Sequence, residues 1–287
     1  MDNTRPWHQV YATFPEWTRA EPTVLARLVP QLFTAEGEGL IDAWFFIRKR
    51  PCWRVRYLPA ADASAKAQAR IEQHLDELTA SQNIDGWTQT VYEPEVHAFG
   101  GTRAMTAAHR LFHRDSRCLL AYLQGESGAA PRHRREISVM LCSILMRAAG
   151  QDWYEQGDVW ARVASHREPP GGHRTVPGTF QAAVRRLMTV DAESQMSQGA
   201  PLAHAAQWAA AYAAAGRELA GLAADGLLHR GFRDILAHHV IFAWNRLGLP
   251  YADQALLAAT AKTVVFGIDP ATRQATEGRQ WPAQKTG

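Results

Sequence analysis

The stretch Ile41–Asp42–Ala43–Trp44–Phe45–Phe46–Ile47 leads, through the break Arg50–Pro51–Cys52, into Trp53–Arg54–Val55–Arg56–Tyr57–Leu58. The first run is apolar and aromatic almost throughout, the composition of a buried strand. The second alternates, and a side-chain period of two sets Arg54 and Arg56 on one face against Val55 and Tyr57 on the other. Two strands joined this closely begin a sheet. Working outward, Trp7–Tyr11 and Gly86–Tyr92 read as further strands. Between them, Pro22–Phe33 carries Val24, Leu25, Leu28, Leu32 and Phe33 at helical spacing, and Ala63–Leu78 reads as a second helix.

After Gly101 the pattern changes. Helices are expected over Arg103–Leu123, Arg132–Arg147, Asp152–Val163, Phe180–Met188, Ala203–Ala223, Gly231–Leu247 and Ala252–Val264. Asp152 and Asp253 stand where helix caps belong. The Ala-rich segment suits plain helix propensity, with close helix approach as the alternative. Glu168–Pro169–Pro170–Gly171–Gly172 reads as a loop near the site. The expected fold is therefore α+β, a small mixed or antiparallel sheet in the first third followed by a predominantly helical remainder. Periodicity fades after Gly267, so one domain over residues 1–267 and a flexible tail over 268–287 are expected.

Composition narrows the function. A chain of 287 residues buries a large core without staples, and its 46% hydrophobic and 21% charged content is ordinary for a globular protein. A formal charge of +3 lacks the concentrated basic face of a nucleic-acid binder. Cys52, Cys118 and Cys142 show no CxxC spacing, which argues against a disulfide framework or a structural zinc site. The N-terminal residues lack an apolar secretory segment, and no run reaches the roughly 18 apolar residues of a spanning helix. A soluble cytoplasmic protein, bound to neither nucleic acid nor membrane, is the expectation. Ten Trp residues suit either helix packing or an aromatic cleft.

Four constellations carry possible chemistry. Arg54 and Arg56 form either a carboxylate or carbonyl clamp or a solvated strand face. Tyr92, Glu93, Glu95 and His97 follow, and continued alternation would set Glu93, Glu95 and His97 on one face as acid/base groups. Asp115–Ser116, with His109 and His113, offers no nucleophile elbow and reads as structural. His238 and His239 point to different helix faces, which disfavours a shared metal, while Asn245 and Arg246 face either a cleft or the helix end.

Read in order, Trp44–Phe45–Phe46–Ile47–Arg48, Trp53–Arg54–Val55–Arg56, Tyr92–Glu93–Pro94–Glu95 with Phe99–Gly100–Gly101, Asp115–Ser116 and Asn245–Arg246–Leu247 form a series. It resembles the thiopeptide-type bacteriocin biosynthesis proteins, stand-alone relatives of the C-terminal glutamate-elimination domain of lantibiotic dehydratases. The resemblance runs from Trp7 to Phe266. It implies one of two activities: glutamate elimination from a glutamylated Ser or Thr, or pyridine synthesis by a formal [4+2] aza-cycloaddition of two dehydroalanines with release of the leader peptide. Elimination-type residues carry over to Arg54, Arg56 and Glu95. The remaining three fall on Ala98, Ala243 and Cys52, and alanine neither shuttles a proton nor binds a carboxylate.

The resemblance therefore implies a pyridine synthase. Glu95, His97, Tyr92, Arg54 and Arg56 are its expected catalytic residues. Glu93, Asn245, Arg246, Trp53 and Trp244 are expected to bind substrate. No metal, nucleotide or redox cofactor is expected, since P-loop, GxGxxG and HExxH patterns are missing from the sequence. The implied partner is a leader-bearing modified precursor peptide, with other enzymes of the same pathway beside it. The leader is expected to add to an edge of the early sheet. A glutamate-elimination lyase and a non-catalytic leader-binding subunit are the competing readings.

Overall fold

The computed structural model describes residues 5–125, 133–168, 176–191 and 205–267. Strand β1 (His8–Thr13) is followed by α1 (Trp17–Thr23), a π-helical stretch at Val24–Leu28 and α2 (Val29–Gly37). This helical run extends further on both sides than the Pro22–Phe33 expected. Pro30 has no amide proton for the helical ladder, and the chain widens into the π turn just before it. Strands β2 (Ile41–Lys49) and β3 (Cys52–Pro59), helix α3 (Ser64–Ala80) and strand β4 (Gly86–Val91) complete the first part. The four strands form one antiparallel sheet in the order β2-β3-β1-β4.

Alternation divides that sheet into two chemically distinct faces. Val10, Trp44, Phe46, Trp53, Val55 and Tyr57 share the main core with Leu28, Leu32, Ile71 and Leu75 of the early helices. Phe45 and Ile47 point the other way, into a smaller cluster with Phe99, Met105, Ala108 and Phe112. Both faces of β2 are thus covered, which is why Ile41–Ile47 reads as continuously apolar.

The helical part comprises α4 (Thr102–Gly125), α5 (Arg134–Ala148), α6 (Trp153–His166), α7 (Gly178–Thr189), α8 (Ala206–Ala224), α9 (Phe232–Leu247) and α10 (Tyr251–Phe266). Asp152 caps α6 in a reciprocal capping box with Glu155. Asp253 does not cap α10: that helix begins at Tyr251 after Pro250, and Asp253 pairs with Arg135 instead. Small residues on α8 do permit close approach, because a Cβ on Gly216 would stand 2.4 Å from the Leu145 carbonyl oxygen. The Glu168–Gly172 loop falls outside the described residues except for Glu168, and the 268–287 tail does so entirely. No described helix is long and apolar enough to cross a membrane.

Three helices meet at one carboxylate. Asp115 of α4 accepts hydrogen bonds from Trp208 Nε1 at 2.6 Å and Tyr212 Oη at 2.9 Å, both on α8. It also pairs with Arg246 Nε of α9, and both charged side chains are fully buried. Asp115 therefore takes the structural role expected of it. Removing one partner of such a pair strands the other charge, at about 3–5 kcal/mol. Arg246→Met is expected to lower unfolding stability by that amount in urea titration. Adding Asp115→Leu should recover much of the loss, so that the double variant falls well short of the summed singles.

Candidate functional site

The site grows from the second face of the sheet. Register sets Arg56 opposite Gln9 of β1 and Phe45 of β2, and Arg54 opposite Tyr11 and Ile47. Both arginines therefore share a face, as the alternation requires. Arg56 donates from Nε to Gln9 Oε1 at 2.6 Å. Gln9 Nε2 in turn donates to Thr90 Oγ1 at 2.9 Å and to the Val91 carbonyl at 3.0 Å. The Arg56 guanidinium lies 4.3 Å from the Tyr92 ring centre and 5.2 Å from that of Phe45. Its two terminal nitrogens bond to no protein atom among the described residues, and neither is sealed inside. Arg54 is half-buried, with its guanidinium 4.7 Å from the Tyr11 ring centre.

Beyond Val91 the strand stops. Its partner β1 begins at His8, opposite Val91, and three residues further on Pro94 offers no amide proton to a ladder. The chain curls into a turn instead, with Phe99 N bonded to Glu95 O and Gly101 N to Val96 O. The alternation expected for Glu93, Glu95 and His97 is therefore absent, and no carboxylate–imidazole pair forms there. Glu93, Glu95 and His97 are all exposed, and His97 makes no side-chain hydrogen bond or ion pair among the described residues. Gly100 and Gly101 close the turn at φ +87° and +111°, where a side chain would be strained. A Cβ on Gly100 would also stand 2.3 Å from Ile235 Cδ1 of α9.

The turn brings Tyr92 inward. Its hydroxyl lies 2.8 Å from His109 Nε2 on α4, and the His109 ring packs against Trp7 at 4.7 Å and Phe45 at 5.8 Å. Trp7 carries no functional signal in the sequence, and His109 groups there with Asp115–Ser116 and His113, which read as structural. The one signal available was the spacing of His109 three residues before Phe112, which puts both on one side of α4.

Electrostatics follow burial. The Glu95 carboxyl is raised by burial, against the pull of Arg56, Lys49 and Arg54. Burial lowers Arg56, opposed by Tyr92 and Glu95. It raises the Tyr92 hydroxyl, helped by Glu95 and opposed by Arg56. His109 is held down to about 3 by burial and then by Arg56, so its imidazole is neutral at ordinary pH.

Several expected substrate contacts lie elsewhere. Trp53 stacks on Phe46 at 4.7 Å, on the sheet face opposite the arginines. Trp244 stacks on Trp160 at 5.9 Å in the helical core, and Arg246 is spent on Asp115. Half-buried Asn245 accepts from Gln254 Nε2 at 3.3 Å. These four hold helices and sheet together. Of the positions where elimination-type groups were expected, Ala98 borders the small aromatic cluster, Ala243 is in the core and Cys52 Sγ donates to Lys49 O. Among the described residues, no three His, Cys, Asp or Glu side chains gather as metal ligands.

Residues 7–265 match the family model described as lantibiotic biosynthesis dehydratase C-term. The chain belongs to that family. Its fold is similar to that of the tRNA-dependent lantibiotic dehydratase MibB from Microbispora sp. 107891, at TM-score 0.66 and 19% identity. That match covers 98% of this chain but only 29% of MibB. TsrL matches at TM-score 0.60 and 15% identity, over 93% of this chain and 99% of its own. TbtD, the pyridine synthase from thiomuracin biosynthesis, matches at TM-score 0.57 and 13% identity, over 91% and 97%. No curated protein matches the sequence.

His239, like His109, is buried and held down to about 3, here by burial and then by Arg246 and His238. An unfolded imidazole titrates near 6.5, so between about 6.5 and 3 the unfolded chain binds more protons and stability falls as pH falls. Each buried histidine should remove about 2 kcal/mol between pH 7 and pH 5. Urea unfolding of His239→Leu at both pH values is expected to show that loss shrink by about one histidine's share.

Proposed function

We propose that this chain modifies a ribosomally made precursor peptide, as a pyridine synthase that joins two dehydroalanines and releases the leader. The observation that carries the reading is Arg56, held through Nε by Gln9 and flanked by Tyr92 and Phe45, with its terminal nitrogens left for a ligand. A partly desolvated guanidinium of this kind polarises an amide carbonyl far better than one in water. Polarisation favours the iminol form of the amide preceding one dehydroalanine, and the iminol is a 2-azadiene. Two carbon–carbon bonds then form, from the two terminal carbons of the azadiene to the two alkene carbons of the second dehydroalanine, and close a six-membered ring that contains the amide nitrogen. Loss of water and of the leader as its amide aromatises that ring.

Glu95 is the proton carrier in this scheme. Although the residue is exposed, partial desolvation raises its carboxyl, and Arg56, Lys49 and Arg54 limit that rise. An acid/base group at this place would serve the proton transfers. Tyr92 shapes the wall beside Arg56. His97, exposed and unpaired among the described residues, has no assigned step. The rim of Trp7, Val96, Ala98 and Phe242 suits an apolar modified peptide folded back on itself. Alignment of the reacting carbons would supply up to about 7–11 kcal/mol of the barrier reduction. The leader adds to the outer edge of β4, whose Val91 is 83% exposed.

One observation favours a second reading. Lys49, Arg54 and Arg56 surround Glu95 electrostatically, and three cations suit a glutamyl carboxylate awaiting elimination. Against it stand Ala98 and Ala243, which bring no acid or base. Intact mass separates the readings. Purified protein is incubated with a leader-bearing peptide containing two dehydroalanines, and separately with a glutamylated peptide. Cycloaddition gives a macrocycle and free leader amide, elimination gives a peptide lighter by a glutamate, and an unchanged but bound peptide sinks both. In single turnover, Glu95→Gln and Arg56→Met are each expected to slow the reaction about a hundredfold or more. His97→Ala should change it less than about threefold.

A further inference from the structure

His109 lies on α4, behind the residues that face the ligand, and is only 3% exposed. The preceding scheme gives it no step. Its placement is nevertheless specific. Nε2 meets the Tyr92 hydroxyl at 2.8 Å, and the ring is fixed between Trp7 and Phe45. Tyr92 has left the strand and keeps no ladder hydrogen bonds. Its ring packs edge-on against Trp7 and Phe45, and among the described residues His109 is the hydrogen-bond partner that fixes its hydroxyl. That ring is one of the two aromatic faces flanking Arg56. A run of contacts therefore passes from α4 to the sheet: His109 to Tyr92, Tyr92 to Arg56, Arg56 to Gln9.

We infer that His109 is a positioning residue: through Tyr92 it aims the Arg56 guanidinium at the ligand. The physical reason lies in the freedom of the two groups. Gln9 fixes one nitrogen of Arg56 and leaves rotation about that bond, and the Tyr92 face limits the rotation only while Tyr92 is itself anchored. A neutral imidazole is the right anchor. It bonds the phenol without adding a second positive charge beside Arg56, whereas a lysine or arginine at this position would repel the guanidinium it is meant to aim. The inference rests on the reading of Arg56 as the ligand-facing group, but its first measurement needs no turnover.

In 15N-labelled protein the Arg56 Nε–H signal, assigned by its loss in Arg56→Lys, reports how firmly that group is held. His109→Phe keeps an aromatic ring and removes the hydrogen bond. It is expected to shift the signal and speed its exchange with solvent about tenfold, the low end of what losing an orienting partner costs. His109→Gln retains a hydrogen-bonding side chain and should stay within about threefold of wild type. With the dehydroalanine peptide, single-turnover rate should follow the same order while peptide affinity stays unchanged. An unaltered Arg56 signal in His109→Phe overturns the inference, as does a glutamine variant that falls as far as the phenylalanine one. If His109→Phe does not fold, Tyr92→Phe removes the same hydrogen bond by losing one oxygen, and an unchanged Arg56 signal there is equally decisive. A wild type inert on the peptide would count against the proposed function, while the Arg56 signal would still decide the role of His109.

Discussion

The buried pair Asp115–Arg246 constrains everything around it. An aspartate withdrawn from water is tolerated only when its oxygens are fully engaged, and here Trp208, Tyr212 and Arg246 share them. Because these partners come from α8 and α9 while Asp115 belongs to α4, the three helices have one relative placement that satisfies the charge. Apolar packing alone tolerates small slides and rotations, and a hydrogen-bonded carboxylate does not. The pair also reaches the sheet side. The Arg246 guanidinium lies 4.4 Å from the Phe112 ring centre, and Phe112 packs against Phe45 at 5.3 Å. The register of α4 against the sheet, and with it the position of His109, is set from the far side of the helix.

That division explains why two arginines with similar burial differ so much in use. Arg246 faces a full carboxylate and is neutralised by it, so it holds structure. Arg56 faces an amide oxygen, two aromatic rings and, at longer range, Glu95. These partners lower the cost of burying the charge without cancelling it. A charge left partly uncompensated beside an accessible rim can still respond to a ligand. The sheet supplies the rigidity, since Gln9 sits in a central strand bonded on both sides.

Much of this organisation is legible in the sequence, for reasons that can be named. Buried strands and amphipathic helices declare themselves by period, so β2, β3 and the helices after Gly101 are found close to their true bounds. Asp152 and Asp253 both stand near helix starts, and the one that caps is Asp152, whose Glu155 three residues on completes the local motif. What is not legible depends on distant partners. Trp53 and Arg54 fall on opposite faces by the same alternation that groups Arg54 with Arg56, but only the packing of the helices shows which face is core and which lines the site. Alternation carried past Val91 misleads because the end of β4 is set by where β1 begins, some eighty residues earlier. His109 is unremarkable until Tyr92 is brought beside it, 17 residues back along the chain.

The position of Ala98 bears most directly on what the site can do. It borders the small aromatic cluster together with Trp7, Tyr92, Val96 and Phe242. An acid or base there would put a second proton carrier beside the ligand and would also break the apolar rim with a hydrated group. With alanine, the rim stays apolar and the polar groups reduce to Arg56, Arg54 and Glu95 with their immediate supports. Proton abstraction next to a carbonyl gains most from a strong, well-placed base. Joining two ends of one flexible peptide gains most from holding them together out of water. The proposed ring closure asks for the second kind of help, and an alanine at position 98, which leaves the rim apolar, is compatible with it.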